Sequence, residues 1–221
     1  IKRRFVDGYS FNKMFEIYVM DDKGLCREKE KSMRDWLNKH IGDYDMVIVS
    51  DFGHGAISEN VVTLLCEKAK YIAVNTQSNS GNRGFHTISR YPKADYACIA
   101  EHELRLEMRK KNGNIIPLME KLSSQMGTKQ FTVTQGRKGI KVMSRIDEKV
   151  TIPSFATKVV DRVGAGDAVF SVTAMAARLG ASNEMLGFIG NVVGALAVEV
   201  IGNKKSIDYK SVTKFVTSLM K

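Results

Sequence analysis

The chain has 221 residues, 43% of them hydrophobic, which is enough to bury a large core in one domain with a small appendage. The most apolar stretch, residues 185–201, contains Asn191 and Glu199, so we interpret it as a buried helix and expect no membrane partner. The net charge of +10 comes from scattered Lys and Arg without interleaved aromatic residues or a helix-turn-helix signature. We therefore expect no nucleic-acid partner, and phosphorylated small molecules suit the charge better.

Short β-type runs at residues 1–6 and 15–20, separated by a turn-like segment at 7–10, predict a hairpin or small sheet. Helices are then predicted at 28–41, 58–70, 101–111 and 115–126. They alternate with strands at 46–50, 71–74, 96–99 and 130–134. An antiparallel pair at 139–143 and 149–152 follows. Three helices, at 166–179, 182–200 and 208–220, close the chain.

The alternation of strands and helices predicts the fold class α/β, with a doubly wound, mainly parallel sheet and helices on both faces. The continuous apolar run at 46–50 is typical of a strand buried on both sides. Ligands bind at the carboxyl ends of the strands in such sheets. The polar, Gly-rich segments are expected at that edge, and they are 50–55, 75–82, 135–139 and 161–167. Together these segments predict an active site.

The segment Gly164-Ala165-Gly166-Asp167 stands at the start of an apolar helix. Small residues allow close approach of a ligand, and the free N–H groups of a helix start favour an anion. Asp167 is then explained as a base or a metal partner. The alternative is a tight turn followed by a favourable first-turn acid. A P-loop needs Gly-Lys-Ser/Thr and a Rossmann fingerprint needs a Gly or Ala at Val169, so both are disfavoured.

The three cysteines, Cys26, Cys66 and Cys98, are far apart and form no CxxC pair, which disfavours a zinc site. Their odd number indicates reduced thiols in a cytoplasmic protein, and each is interpreted as a small buried hydrophobe. His40 and His86 are interpreted as ordinary surface or loop residues. His102 is assigned to a charged first helical turn. Ser78 and Ser80 lack the geometry of a hydrolase elbow.

Residues 159–180, VVDRVGAGDAVFSVTAMAARLG, resemble the carboxy-terminal signature of the PfkB (ribokinase-like) sugar kinases, usually D-T-x-G-A-G-D. The order of the upstream segments SDFGHG (50–55) and VTQGRKG (133–139) agrees with that family. SDFGHGAIS resembles S-D-Y-G-K-G of the heptose-7-phosphate kinase branch. The resemblance covers essentially the whole chain. It implies a ribokinase-like kinase that uses ATP and Mg²⁺ to phosphorylate a sugar or sugar phosphate, most closely a heptose 7-phosphate.

The resemblance also implies roles for individual positions. Asp167 is expected to be the general base, with Gly164, Ala165 and Gly166 forming an anion hole over the transferred phosphoryl group. Glu103 is expected near magnesium, and Asp161 is expected either to bind a monovalent cation or to hold its loop. The expected nucleotide contacts are Thr134, Gln135, Gly136 and Gly139 along the rim, Asn191 near the adenine and Asn75 near the phosphates. Lys138 is either a phosphate contact or a solvated surface residue.

Three positions depart from the family pattern. Arg162 replaces a Thr, Ala100 replaces the Asn of an N-x-x-E motif that ends at Glu103, and His54 replaces a Lys. These changes leave the fold untouched but bear on catalysis and on the choice of substrate. The alternative function is therefore a degenerate nucleotide-binding module without kinase activity. A basic nucleic-acid-binding domain is the weakest alternative.

The resemblance divides the chain into partial β-lid strands at 1–22 and a nucleotide-binding and catalytic core at 23–221. The Gly-Gly sugar motif and first strands of the family are absent before Ile1, so we expect a carboxy-terminal fragment with little or no kinase activity alone. The lid strands also imply a homodimer formed through them.

Overall fold

The computed structural model of the chain describes residues 1–9, 13–19, 23–79, 81–145, 149–201 and 204–221. Some sequence predictions fall outside these ranges. They concern Ser10 in the turn of the predicted hairpin, residues 20–22 at the end of the predicted lid, and Ser80 in the polar loop.

The main sheet has six strands in the order β3-β4-β5-β6-β7-β8. The pairs from β3 to β6 are parallel, and β7 and β8 continue the sheet antiparallel. The strands are β3 (Val47–Asp51), β4 (Ile72–Thr76), β5 (Tyr96–Ala100), β6 (Gln130–Thr134), β7 (Ile140–Ser144) and β8 (Val150–Ile152). The mainly parallel α/β sheet predicted from the alternation is confirmed, including its antiparallel end.

Seven α-helices accompany the sheet in the described part of the chain. They are α1 (Arg27–His40), α2 (Glu59–Lys68), α3 (Glu101–Glu107), α4 (Ile116–Met126), α5 (Ala165–Arg178), α6 (Asn183–Val198) and α7 (Tyr209–Leu219). Ser58 caps α2 as predicted, accepting the N–H of Val61 at 3.3 Å. Within the described ranges, no helix is long and apolar enough to cross a membrane.

The helices cover both faces of the sheet because successive strand side chains point to opposite sides. On one face, Ile72, Val74 and Phe131 pack in a single buried cluster with side chains of α2, α3 and α4. On the other face, Ala73 and Tyr96 pack with Val169, Phe170 and Ala174 of α5 and with Leu186 of α6. The apolar alternation of the strands therefore fixes α5, and with it Asp167, against the sheet.

The first 18 residues include a separate two-stranded antiparallel sheet, β1 (Lys2–Val6) and β2 (Lys13–Tyr18), which we call the lid sheet. The register pairs Lys2 with Tyr18 and Arg4 with Glu16. Glu16 accepts hydrogen bonds from Arg4 Nε at 2.6 Å and from Tyr18 Oη at 2.7 Å. The predicted small sheet is confirmed, and on one of its faces the carboxylate of Glu16 binds the side chains of Arg4 and Tyr18.

Three sequence predictions differ from the structure. β3 is not buried on both sides: it is the edge strand of the sheet, and Ile48 is 43% exposed. The helix that begins at Glu101 ends at Glu107 rather than at 111, and Arg109 takes the left-handed conformation at φ 50°. Cys66 and Cys98 are buried as predicted, but Cys26 is exposed.

The loop after β3 is fixed by a buried carboxylate, Asp51, which is 3% exposed. Its Oδ2 accepts hydrogen bonds from Tyr91 Oη at 2.6 Å and from Arg90 Nη1 at 2.9 Å. Its Oδ1 accepts the N–H of Gly53 at 3.0 Å and lies 3.2 Å from His86 Nε2. We call Asp51, His86, Arg90 and Tyr91 the Asp51 cluster. It joins the end of β3 to the turn at 81–91.

The interpretation of His86 as an ordinary surface or loop residue is right about the loop and wrong about the surface. His86 lies in a loop, but its side chain is only 9% exposed and contacts Asp51 and Arg90. Its partners are 35 and 4 residues away in the chain, and the distant one is brought close only by the fold.

Replacing Asp51 with Asn should destabilise the fold strongly. In the variant an NH₂ group, which donates and cannot accept, replaces one carboxylate oxygen, so two of the four donors around Asp51 lose their acceptor and the Arg90 guanidinium loses its counter-charge. This loss costs about 3 kcal/mol of unfolding free energy. Urea unfolding followed by circular dichroism measures it. The matched control is Asp35→Asn, which breaks the exposed Lys31–Asp35 pair of 2.6 Å and should cost less than about 0.5 kcal/mol. Equal losses in the two variants would contradict a structural role for the Asp51 cluster.

The contribution of Asp51 should also depend on pH. Burial alone would raise the pKa of this carboxyl, but hydrogen bonds from His86, Tyr91 and Gly53 outweigh burial and lower the pKa below its ordinary 3.8. A lowered native pKa stabilises the fold above 3.8, and this stabilisation is lost as the pH falls through the native value. The difference in unfolding free energy between the wild type and Asp51→Asn should therefore shrink below pH 3.8. A difference that stays constant in acid would exclude an ionised Asp51.

Candidate active site at the carboxyl ends of the strands

The carboxyl ends of β3, β4, β5 and β6 lie at the same edge of the sheet. The register places Ser50 beside Asn75 and Asp51 beside Thr76, and it places Ala100 beside Thr134. The start of α5 reaches this edge, because Gln77 after β4 donates a hydrogen bond from Nε2 to Asp167 Oδ1 at 2.6 Å. The structure therefore brings together the described parts of the polar segments predicted to form one rim.

The amino-terminal end of α5 is open toward this edge. Gly164, with φ 78°, is the residue before the helix. Because Gly164 has no side chain, the first turn has no side-chain cap in the described structure. Ala165 and Gly166 form the first turn together with Asp167. The N–H of Ala165 donates to Arg162 O at 3.4 Å, and the other N–H groups at the start of this helix of 14 residues favour a bound anion. This geometry suits the predicted anion hole.

The loop before α5 is anchored at its other end. Asp161 Oδ1 accepts the N–H of Val163 at 3.0 Å, and the N–H groups of Val160 and Asp161 donate to Val198 O at 2.8 and 3.0 Å. This supports the interpretation of Asp161 as a residue that holds its loop. Binding of a monovalent cation there stays a prediction. Arg162 is exposed beside it.

Asp167 is half-buried in the first turn of α5, and the pKa of its carboxyl is raised above the ordinary value. Burial is the main cause, and it outweighs the hydrogen bonds from Gln77 and Ser50 and the positive charge of Lys2. A raised pKa makes a carboxylate a better proton acceptor than an exposed one. The geometry and the electrostatics are both suited to a general base.

Glu103 lies across the site from α5 and is 11% exposed. Its Oε2 accepts the N–H of Ala100 at 2.7 Å and its Oε1 accepts the N–H of Ser78 at 2.9 Å. Burial raises the pKa of Glu103 despite these two bonds, and the charge of Asp167 raises it further. Ala100, the residue before α3, has no polar side chain that could cap the helix. The side chain of Glu103 binds the backbone there instead.

The predicted metal residues, Glu103 and Asp161, do not form a protein-only metal cage. Among the described residues, no group of three or more His, Cys, Asp or Glu is arranged to hold a metal ion. His102 is 63% exposed and its Nε2 is 3.8 Å from Glu103 Oε1, as expected for a charged first turn. Mg²⁺ characteristically keeps several waters and binds through one or two carboxylates and substrate phosphates. The single buried carboxylate of Glu103 fits that mode of binding.

Asn75 is 5% exposed and carries an unsatisfied acceptor. Its Nδ2 donates to Cys98 O at 2.6 Å, whereas its buried Oδ1 has no hydrogen-bond partner in the described part of the chain. Buried polar atoms are nearly always paired in proteins, so such an atom indicates where a donor from a ligand or a water belongs. An ionised phosphate offers no donor, so this oxygen suits a water or another donor group, and the predicted contact of Asn75 with the phosphates stays a prediction.

The turn between β6 and β7 carries the other predicted nucleotide residues. Thr134 ends β6, and Gln135 donates from Nε2 to Glu101 Oε2 at 2.6 Å. Gly136 and Gly139 both have positive φ, at 57° and 92°. A Cβ on Gly139 would collide with Ile152 O, so this glycine is required by the approach of β8. Nucleotide contacts by these four residues stay predictions.

Asn191 is buried in α6, where its amide joins the helix to the sheet. Its Nδ2 donates to Ile152 O at 3.2 Å and to Gly187 O at 3.0 Å. A contact with adenine would therefore use Oδ1. The predicted position near the adenine stays a prediction.

Three residues of the site were missed from sequence: Gln77, Ser50 and Lys2. Gln77 and Ser50 lie in segments that were assigned to the rim, but no motif distinguished them from their polar neighbours. Lys2 belongs to the lid sheet, which lies over the loop after β3: the rings of Tyr18 and His54 are 6.2 Å apart. Only the folded position of that sheet brings the charge of Lys2 to Asp167.

In sequence, the chain is similar to the bifunctional protein HldE of several bacteria. It is 26% identical over 187 residues to the bifunctional protein HldE of Pelobacter propionicus, covering 80% of this chain and 36% of that protein. HldE of Shewanella amazonensis is 26% identical over 164 residues, covering 73% of this chain and 33% of the relative. The chain thus spans about a third of the length of the curated relatives it matches.

Solved structures show the same fold. Phosphofructokinase-2 from Escherichia coli in complex with substrates and products superposes with a TM-score of 0.79 at 11% identity, covering 100% of this chain and 71% of that one. Ribokinase from Thermotoga maritima gives 0.74 at 20% identity, covering 98% of this chain and 69% of that one. The predicted ribokinase-like fold is confirmed.

The profile described as pfkB family carbohydrate kinase matches residues 23–209, which is most of the chain and includes every predicted site residue. The family suggested by the GAGD signature and by the order of the rim segments is confirmed: this chain belongs to the pfkB family of carbohydrate kinases.

Proposed function

We propose that this chain supplies the base and the anion site for phosphoryl transfer in an ATP-dependent sugar kinase, with a heptose 7-phosphate as the acceptor. The observation that carries the proposal is the position of Asp167. Its half-buried carboxylate stands in the first turn of α5, beside uncapped N–H groups and on the rim formed by four strand ends. A carboxylate beside a helix start supports the pairing of a base with an anion site, which transfer of a phosphoryl group to a hydroxyl requires.

In the proposed reaction, the acceptor oxygen forms a bond to the γ-phosphorus of ATP while the bond to the β–γ bridging oxygen breaks and ADP leaves. Asp167 takes the proton of the acceptor hydroxyl. The N–H groups at Gly164, Ala165 and Gly166 stabilise the charge on the transferred group. Phosphoryl transfer relies mostly on positioning and on charge neutralisation, so a carboxylate with a modestly raised pKa suffices.

The residues of the site fit a nucleotide and its magnesium ion. Asn75 Oδ1 is a buried acceptor without a partner in the described structure, which suits a water or a donor group of the ligand, and the start of α5 suits phosphate oxygens. Glu103 is the carboxylate we assign to Mg²⁺, which when bound neutralises charge on the phosphates. Thr134, Gln135, Gly136, Gly139 and Asn191 are proposed to border the nucleotide.

The acceptor is proposed from the HldE relatives and from the SDFGHG segment at 50–55. His54 at the position of the usual Lys keeps an aromatic contact with Tyr18 of the lid sheet. A homodimer through the lid strands is proposed on the same resemblance. In support, the outer face of the lid sheet exposes Phe5, Phe15 and Ile17 to solvent.

In the full-length protein, replacing Asp167 with Asn should strongly slow acceptor-dependent release of ADP. Loss of a positioned base slows the reaction about 10²- to 10⁴-fold. The assay uses ATP, Mg²⁺ and D-glycero-D-manno-heptose 7-phosphate, with ribose and fructose 6-phosphate as competing acceptors. Asp35→Asn, on the exposed face of α1, serves as the matched Asp→Asn control and should leave the rate unchanged. An active Asp167→Asn variant would exclude Asp167 as the base.

The same variant should make the protein more stable at neutral pH. A raised native pKa means that ionised Asp167 costs folding free energy above 3.8, and the cost disappears once the carboxyl is protonated in acid. Urea unfolding at neutral pH should give a higher midpoint for Asp167→Asn than for the wild type, and the two should converge at low pH. A lower midpoint at neutral pH would contradict the raised pKa.

The second candidate function is a nucleotide-binding module without kinase activity, which Ala100 and Arg162 favour. ATP binding measured by calorimetry, together with no ADP release for any acceptor, would support the module. The expectation that this chain alone is inactive stays a prediction, and the same assay measures it.

A further inference from the structure

Gln77 is the first residue after β4, and both of its backbone polar groups are held. Its N–H donates to Asp51 O at 2.9 Å, and its C=O accepts from Asn82 Nδ2 at 3.4 Å. Asp51 is itself fixed by the Asp51 cluster. The backbone of Gln77 is therefore tied to the most rigidly bonded part of the rim.

The side chain of Gln77 reaches from this anchored backbone to α5. Its Nε2 is 2.6 Å from Asp167 Oδ1, although the two residues are 90 positions apart in the chain. An amide donor orients a carboxylate without adding a charge. A Lys or Arg at the same place would lower the basicity of Asp167 much more.

The other polar and charged groups around Asp167 come from three separate elements. Ser50 at the end of β3 lowers the pKa of Asp167, Lys2 of the lid sheet contributes a positive charge, and Glu103 of α3 contributes a negative charge. Lys2 lies 4.0 Å from Glu16, and Glu103 is engaged by two backbone N–H groups. Gln77 thus provides the short, directional contact from a fixed loop.

We propose that Gln77 is the positioning residue of the site: its amide holds Oδ1 of Asp167 so that Oδ2 faces the acceptor hydroxyl, a role that rests on the proposed function. Gln77 does not touch the reacting atoms in this scheme. It acts by keeping the carboxylate in one orientation, which reduces the cost of aligning base and acceptor.

The test uses nuclear magnetic resonance on the whole chain, without nucleotide, so it does not depend on turnover. Asp and Glu carboxyl carbons are labelled, and Asp167 is assigned by comparison with Asp167→Asn. Gln77→Met keeps the length of the side chain and removes the donor. We expect the carboxyl of Asp167 to titrate at a higher pH in Gln77→Met than in the wild type, since a hydrogen bond to the charged form is lost.

Gln135→Met is the matched control, because Gln135 donates to Glu101 at the same 2.6 Å distance. It should raise the pKa of Glu101, for which the hydrogen bond from Gln135 is the main lowering cause, and leave the titration of Asp167 unchanged. If both variants move Asp167 equally, or if Gln77→Met moves it not at all, the proposal is wrong.

The wild type provides a second measurement that does not require a folded variant. The side-chain amide protons of Gln77 should shift along the titration curve of Asp167, and this shift should vanish in Asp167→Asn. If the chemical shifts of these amide protons do not change as Asp167 titrates, the proposal is wrong. If the Gln77 amide shifts follow the titration of Asp167 but the full-length protein has no kinase activity, the proposed function is refuted. The contact between the two residues is then still established.

Discussion

A buried carboxylate at the end of an edge strand organises the rim of this protein. Asp51 is 3% exposed, and its two carboxylate oxygens contact four donors: a tyrosine hydroxyl, an arginine, a histidine and a backbone N–H. A buried charge is tolerated only when it is paired and hydrogen-bonded in this way. The turn at 81–91 and the loop after β3 therefore have one arrangement relative to each other, and Gln77 takes its position from both.

The position of the proposed base, Asp167, follows from that arrangement. The main chain of Asp51 holds the main chain of Gln77, and the side chain of Gln77 holds Asp167. From the other side, packing of Val169 and Phe170 against the sheet fixes the helix on which Asp167 stands. The proposed base is thus held between a polar network and an apolar core. Its half-burial raises its pKa, which is useful for taking a proton and unfavourable for stability.

Much of the fold could be predicted because local sequence patterns determine its strands and helices. The alternation of apolar strands and helices determined the mainly parallel sheet, and Gly164–Asp167 marked the start of α5 and led to the family. The exposure of Ile48 was not predictable, since the same apolar residues suit an edge strand and a central strand. The partners of His86 and the contact of Gln77 with Asp167 join residues 35 and 90 positions apart, which no local pattern encodes.

The edge position of β3 has a consequence for how the protein meets other chains. In the described structure this strand pairs with β4 on one side only, and Ile48 stands exposed beside the open row of peptide groups. Such a row is a template onto which an extended polypeptide can add by main-chain hydrogen bonding. A strand added there would lie beside Ser50 and Asp51 at the end of β3, so growth of the sheet at this edge would also extend the rim.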